Sequence, residues 1–455
     1  MAAHRHSIIS LFSGALGLDL GLEAAGFEVR VAVECNRFAV ETIKANRPDL
    51  PLIPKKLEDA STKDILKVAG LKVGEATLVT GGPSCQPFST AGRRGSVDDP
   101  RGVMFHEFLR VVREARPKFF VMENVRGVMS AALKHRQLKD RGPGTAQLAP
   151  EEELGSAFVE ILKALKRTGY FIVFGLVNAA DFGVPQTRQR LLFIGSRDGH
   201  PVSLPKRTHD QTLGGGLPQW RTLSEALKDL DDAAPEYHEL TPRNKKFLSL
   251  VPEGGNWRDL PVELQKDALR GAYTSWGGRT GFFRRLAMNE PAPSLTTCPD
   301  GRATMVCHPR ELRPLSVAEY ARVQQFPEGW EFAGGIPQKY IQIGNAVPCG
   351  LGTAVGEMIK KAVRRAADPE VVGLITCPDR ALIERYLQRP RTIMNPQRMR
   401  NVKGTEAAKE WMGTEQQARQ KVLKYIEWDA NPSTQQRPRS STVRPTTRRR
   451  KSTAA

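Results

Sequence analysis

The stretch from Ser7 to Glu34 limits the possible fold more than any other. Ser7-Ile8-Ile9-Ser10-Leu11-Phe12 is a short apolar run that reads as a buried strand. It breaks at Ser13-Gly14-Ala15-Leu16-Gly17 and enters Leu18 to Ala25, where apolar residues recur at helical spacing until Gly26. Val29 to Val33 reads as a second strand, with Glu34 directly behind it. Strand, turn, helix, strand is a crossover unit, which joins parallel strands rather than a hairpin. It puts the first turn and the end of the second strand on one edge of a sheet. Glycines there let backbone approach a ligand closely, and a terminal acid can accept from a ribose diol. Phe12-x-Gly14-x-x-Gly17 with Glu34 is therefore a candidate nucleotide site.

The alternation continues. Arg37 to Asn46 reads as a helix, Asp59 lies in a loop after Ile53, and Ala76 to Thr80 is a strand. Phe105 to Val112 is an amphipathic helix, and Lys118 to Met122 is a strand ending in Glu123-Asn124-Val125. After a polar, basic insertion over 126–150 come a helix from Ala157 to Thr168 and a strand from Tyr170 to Val177. Gln186-Thr187-Arg188-Gln189-Arg190 then leads into a strand, Leu191 to Gly195. The pattern predicts a doubly wound α/β domain over 1–199.

From about 200 to 310 the periodicity weakens, which predicts a smaller, loop-rich domain over 200–330. Gly254-Gly255-Asn256-Trp257-Arg258 and the run from Trp276 to Arg285 interleave basic and aromatic residues. Such segments suit nucleic-acid contact or plain surface hairpins equally. Ser316 as N-cap with Glu319 at the third helical position opens a helix over Val317 to Gln324. Residues 331–366 return to the first domain, with Tyr340 to Pro348 leading into a helix that ends near Ala366. Residues 367–429 form a C-terminal extension without assignable chemistry, in which Leu382 to Leu387 and Ala407 to Ile426 have helical patterning.

The charge balance narrows the partners. The chain of 455 residues has 68 Lys and Arg against 49 Asp and Glu, a net +19. That excess points to a polyanion, most often nucleic acid. Residues 430–455 have no acidic residue and are rich in Ser, Thr, Pro and Arg. They read as a disordered tail, either solubilising or a non-specific phosphate-binding arm. No apolar run approaches the roughly 18 residues that cross a bilayer, and the N-terminus lacks a secretory apolar core. The expected setting is cytoplasmic and nucleoid-associated, without a membrane partner. Six scattered cysteines with no CxxC pair suggest neither a disulfide framework nor a metal site.

One cysteine stands apart. Cys85 follows the strand at Ala76 to Thr80, in Gly81-Gly82-Pro83-Ser84-Cys85-Gln86-Pro87-Phe88-Ser89-Thr90. Alone it reads as either a nucleophile on a loop at the sheet's carboxyl edge or a small buried turn residue. Glu123 at a strand end and Arg188 and Arg190 before a strand likewise read as reacting groups or as structural charges.

Taken in order, Phe12 to Gly17, Pro-Ser-Cys85-Gln-Pro-Phe-Ser, Glu123-Asn-Val and Gln-Thr-Arg188-Gln-Arg190 resemble the DNA (cytosine-5)-methyltransferases of bacterial or phage restriction-modification type. Arg313-Pro314-Leu315-Ser316 through Gln324-Gln325-Phe326-Pro327 is similar to that family's ninth motif, and Gly344-Asn345-Ala346-Val347-Pro348 to its tenth. The resemblance extends from Phe12 to about Ala366. It implies a Rossmann-like S-adenosylmethionine-dependent catalytic domain, with residues of about 200 to 310 acting as the target recognition domain.

It also implies roles. Carbon 5 of cytosine is a poor nucleophile until a thiolate adds at carbon 6, which assigns Cys85 to covalent catalysis. Glu123 would serve ring nitrogen 3 through a raised pKa, and Arg190 the ring carbonyl oxygen. Arg188 would support Cys85 and the base. Phe12, Ser13, Gly14 and Gly17 would surround the donor's methionine and sugar. Glu34 would hold the ribose and Asp59 the adenine amine, with Met104, Asn345, Ala346 and Val347 closing the pocket. The loop from Gln86 to Arg101 would close over a base flipped out of double-stranded DNA. The expected protein is a monomer, paired in function with a restriction endonuclease; an orphan or phage-protective enzyme fits equally.

Four positions depart from the family pattern: Ser84 for a proline, Leu16 and Gln325 for glycines, and Cys35 for an aromatic after the ribose-binding acid. Two rivals remain: the same chemistry on RNA, and a non-enzymatic DNA-binding protein on the same fold.

Overall fold

The computed structural model describes residues 6–83, 100–134, 136, 146–153, 155–212, 216–273, 281–379 and 381. Ser84, Cys85, residues 86–99 of the loop that follows, the helical patterns beyond Leu382 and the basic tail lie outside the described residues.

The strands are β1 (His6–Leu11), β2 (Phe27–Val33), β3 (Leu52–Ile53), β4 (Leu78–Gly81), β5 (Phe119–Val125), β6 (Phe171–Asn178), β7 (Gln186–Thr187), β8 (Gln189–Ser196), β9 (Ala292–Pro293) and β10 (Ile375–Thr376). The helices are α1 (Gly17–Ala24), α2 (Arg37–Asn46), α3 (Thr62–Ala69), α4 (Pro100–Ala115), α5 (Ser156–Lys166), α6 (Leu223–Leu227), α7 (Pro242–Leu248), α8 (Val262–Leu269), α9 (Val317–Val323), α10 (Ile336–Asn345) and α11 (Cys349–Val363).

One sheet of eight strands runs β10-β6-β8-β5-β4-β1-β2-β3. The order reverses between β1 and β4, each parallel to its neighbours. In sheets of this kind the crevice at that reversal takes the ligand. Alternate strand residues feed two cores, as a two-residue side-chain period requires. Ile9, Leu11, Phe120 and Met122 face a core shared with α3, α4 and α5. Ile8, Phe119 and Val121 face a second core shared with α1, α2 and α11. The sheet is thus covered on both sides, which is why its strands read as continuous apolar runs.

β8 pairs antiparallel with both β5 and β6. An antiparallel strand starts at the edge where its parallel neighbours end. This reversal brings the Arg188 and Arg190 segment to the carboxyl edge of the sheet.

Two further cores lie outside the sheet. One joins Ala15 of the first turn to α6, α9 and α10; the other is built by α7, α8, Trp257 and Phe283. The region read as loop-rich therefore has short helices and a core of its own. α9 begins as its sequence indicates: Ser316 Oγ accepts from Glu319 N at 3.1 Å while the Glu319 carboxylate accepts from Ser316 N. Tyr340 to Asn345, read as a lead-in, forms the second half of α10. Beyond α11 the chain returns to the sheet, where β10 pairs with β6.

Candidate active site

The first turn sits at the end of β1 in strained backbone. Phe12 (φ 52°), Gly14 (φ 53°) and Leu16 (φ 67°) all take left-handed conformations, which cost a side-chain-bearing residue of order 1 kcal/mol or more. Leu16 stands where a glycine is usual. It keeps the glycine conformation and buries its side chain in the second core. Gly17 has no such freedom to lose: a Cβ there would lie 2.4 Å from Val347 O and 3.1 Å from Ala346 Cβ. Only glycine lets the Asn345-Ala346-Val347 segment close on this turn.

Glu34, just past β2, reaches back to the same turn. One carboxylate oxygen accepts from Gly14 N at 2.8 Å, the other from Cys35 N at 2.8 Å and Asn36 N at 2.7 Å. A Cβ built on Gly14 would meet nothing within 4 Å, so the turn faces open space. Asp59 ends a single 3-10 turn and is exposed. That turn is tied to α4 by Arg110, whose guanidinium donates to Leu57 O and Ala60 O, both at 3.0 Å. Met104 is half-buried on α4. Glu34 beside the glycine turn suits the ribose of an adenosine group, and the exposed carboxylate of Asp59 is free to accept from an amine. Cys35 is exposed and its thiol is pushed up by partial burial and by Glu34.

The second cluster lies at the ends of β4, β5 and the start of β8. Glu123 and Arg190 are diagonal neighbours, because Glu123 pairs with Leu192 and Val125 with Arg190. Arg190 Nε lies 2.5 Å from Glu123 Oε1, with both side chains about nine-tenths buried. The other carboxylate oxygen faces Gly82, where a Cβ would stand only 2.9 Å from it. Asn124 donates to Pro83 O at 3.3 Å, fastening the end of β5 to the chain entering the Cys85 segment. Cys85 is two residues further on. Asn124 and Gly82 are not among the candidate site residues of the sequence analysis; both lie beside Glu123 or just before Cys85.

Arg188 is placed differently from Arg190. It is almost fully buried and serves as a three-way tie: Nη1 donates to Leu295 O at 2.7 Å, and Nη2 to Gly344 O at 2.6 Å and Ala346 O at 3.1 Å. Burial, then the Arg190 charge, holds its guanidinium well below the usual arginine range. Gln186 and Gln324 extend the tie, with Gln186 Nε2 donating to Gln324 Oε1 at 2.9 Å and Gln324 Nε2 to Ile343 O at 2.6 Å. Gln325 takes a left-handed φ of 62° at another usual glycine position. Its amide donates to Gly183 O at 3.0 Å and accepts from Gly350 N at 3.1 Å.

No group of three or more metal-ligating side chains occurs among the described residues. No helix among them is long and apolar enough to cross a membrane.

A doubly wound sheet with a glycine turn, an acid directly behind its second strand and an adjoining Glu–Arg pair is the frame of a Rossmann-like methyltransferase domain. The model of C-5 cytosine-specific DNA methylases matches residues 6–361, and the chain belongs to that family. It is a DNA (cytosine-5-)-methyltransferase. It is 36% identical to the Type II methyltransferase M.PspPI of Psychrobacter, over 79% of this chain and 80% of that one. It is 34% identical to the Type II methyltransferase M.Sau96I of Staphylococcus aureus, over 78% of this chain and 75% of that one. Among solved structures, a DNA modification methyltransferase encoded within an Escherichia coli prophage shares the fold. The TM-score is 0.54 at 23% identity, covering 79% of this chain and 99% of that one.

Proposed function

We propose that this chain transfers a methyl group from S-adenosylmethionine to carbon 5 of a cytosine within one double-stranded DNA sequence, as the modification half of a restriction-modification system. The Glu123–Arg190 pair, fastened through Asn124 to the segment that leads to Cys85, is the observation that carries this reading. The biological setting rests on the Type II methyltransferases that the chain resembles.

The target carbon is stacked inside the duplex, so the base must leave the helix to react. The Cys85 thiolate adds to carbon 6, and the ring electrons move toward carbon 5 and the N3–O2 edge. Arg190 stabilises the charge at the carbonyl oxygen, and Glu123, after its carboxylate takes up a proton, donates to nitrogen 3. The donor, when bound, supplies an electrophilic methyl group that carbon 5 takes. A base, solvent included, then removes the carbon 5 proton, and Cys85 leaves as thiolate.

Glu34 and Asp59 are the acceptors for the ribose hydroxyls and adenine amine. Phe12, Ser13, Gly14 and Gly17 line the methionine and sugar, and Met104 with Asn345, Ala346 and Val347 closes the pocket. Residues of about 200 to 310 read the target sequence, with the basic chain holding phosphates.

Purified protein with labelled S-adenosylmethionine tests the reading on duplex DNA, single-stranded DNA and tRNA. Transfer to duplex cytosine is expected. Transfer to tRNA alone refutes the DNA assignment.

A further inference from the structure

Beneath the first turn lies a buried relay that the reaction as described does not use. Asp19 sits in the first turn of α1, 2% exposed. Ser10 Oγ donates to Asp19 Oδ2 at 2.8 Å, and Ser10 Oγ and Ser13 Oγ stand 2.8 Å apart. The other Asp19 oxygen is buried without a hydrogen-bond partner. Ser13 lies in the turn itself, close also to Ser10 O at 3.2 Å and Val33 O at 3.5 Å.

The direction of these bonds has a chemical consequence. A hydroxyl has one hydrogen to give. Ser10 gives its hydrogen to the Asp19 carboxylate, so its oxygen is an acceptor toward Ser13. Every neighbour of Ser13 Oγ is then an acceptor, and the Ser13 hydrogen points inward. The lone pairs of Ser13 remain for the crevice. Such a hydroxyl receives a cationic N–H group and cannot donate to a carboxylate.

We propose that Asp19 is a positioning residue for the methyl donor: through Ser10 it fixes Ser13 as a hydrogen-bond acceptor for the α-ammonium group of the donor's methionine portion. This rests on the S-adenosylmethionine reading above. Protonation of Asp19 lets the relay run the other way, with Ser10 donating to Ser13 and the Ser13 hydrogen turned outward.

The surroundings keep that proton available. Burial pushes the Asp19 carboxyl up to about 7, opposed by the Ser10 bond. Glu23 on the same helix raises it further, and Arg47 after α2, itself paired with Glu23 at 2.5 Å, lowers it. From α11 the facing titratable group is Cys349, a thiol pushed up to about 12 by burial.

Calorimetric titration of the full chain with two ligands tests the relay: S-adenosylmethionine, and 5′-deoxy-5′-methylthioadenosine, which lacks the amino-acid portion. Asp19→Leu keeps the branched shape of the side chain and removes the acceptor. It is expected to weaken S-adenosylmethionine about tenfold and to leave methylthioadenosine within about twofold, as loss of one charge-assisted bond predicts. Asp19→Asn keeps an acceptor and is expected to lose less. The wild-type advantage over Asp19→Asn for S-adenosylmethionine should also shrink as pH falls from about 8 to about 6. Equal losses for both ligands overturn the relay, and so does a wild-type to Asp19→Asn ratio that is flat with pH. Wild-type protein that binds neither ligand overturns the donor assignment, and this inference with it.

Discussion

Arg190 and Glu123 face each other across two antiparallel strands, Nε to Oε1 at 2.5 Å, each about nine-tenths buried. Removing one partner from such a pair leaves a buried charge uncompensated, at a cost of about 3–5 kcal/mol. Arg190→Met is expected to show that loss in urea unfolding. Glu123→Gln together with Arg190→Met should recover much of the stability, because neither charge is then stranded. Methyl transfer should fall by at least about a hundredfold in both proteins, the scale of losing one electrostatic stabiliser. Recovered activity in the double variant would show that the pair is only structural.

Arg188 is a different kind of residue from Arg190. Its guanidinium donates to three carbonyls in two chain segments, Leu295 in one and Gly344 and Ala346 in the other. Arg188→Lys keeps a positive charge but has no planar fork to span them. We expect Arg188→Lys to be destabilised by about 2–4 kcal/mol, as several buried carbonyls lose their donor. A melting temperature equal to wild type would contradict the tie.

Gln325 holds a left-handed backbone at φ 62° while its side chain bridges Gly183 and Gly350. Alanine keeps the strain and loses both bonds, so Gln325→Ala should cost about 1–3 kcal/mol. Glycine loses the same bonds and releases the strain, so Gln325→Gly should be more stable than Gln325→Ala by about 1 kcal/mol. Chemical denaturation of the two variants side by side decides this.

Asp19 gives a pH dependence of stability with a definite sign. Its folded-state pKa is raised to about 7 from an ordinary value of 3.8. Between those values the folded chain holds a proton that the unfolded chain has released. The stabilisation is complete below the lower value and is lost as pH rises to about 7. Asparagine does not titrate. The melting temperature of Asp19→Asn minus that of wild type should therefore grow from about pH 4 to about pH 7 and then level off. A constant difference would place the carboxyl in an unperturbed setting.

Much of the site was legible because its residues sit where strands end. The apolar run, turn and acid from Ser7 to Glu34 fix β1, α1 and β2, and α2 spans Arg37–Asn46 as its pattern indicates. The strand ending in Glu123 was equally plain. The antiparallel sense of β8 was not, since an apolar run carries no direction; only pairing with β5 and β6 supplies it. β10 escaped notice because two residues show no periodicity. In the sequence Asp19 is one polar residue among the apolar positions of α1. Its partners, Ser10 and Ser13, lie on other elements and meet it only after the crossover folds.

Cys85 itself is tested most directly in cells. A host free of cytosine methylation, expressing either the natural chain or Cys85→Ala, is read by bisulfite sequencing. The account predicts protected cytosines confined to one short recurring duplex sequence with the natural chain, and none with Cys85→Ala. Protection that survives the substitution, or the absence of any protected cytosine with the natural chain, would contradict it.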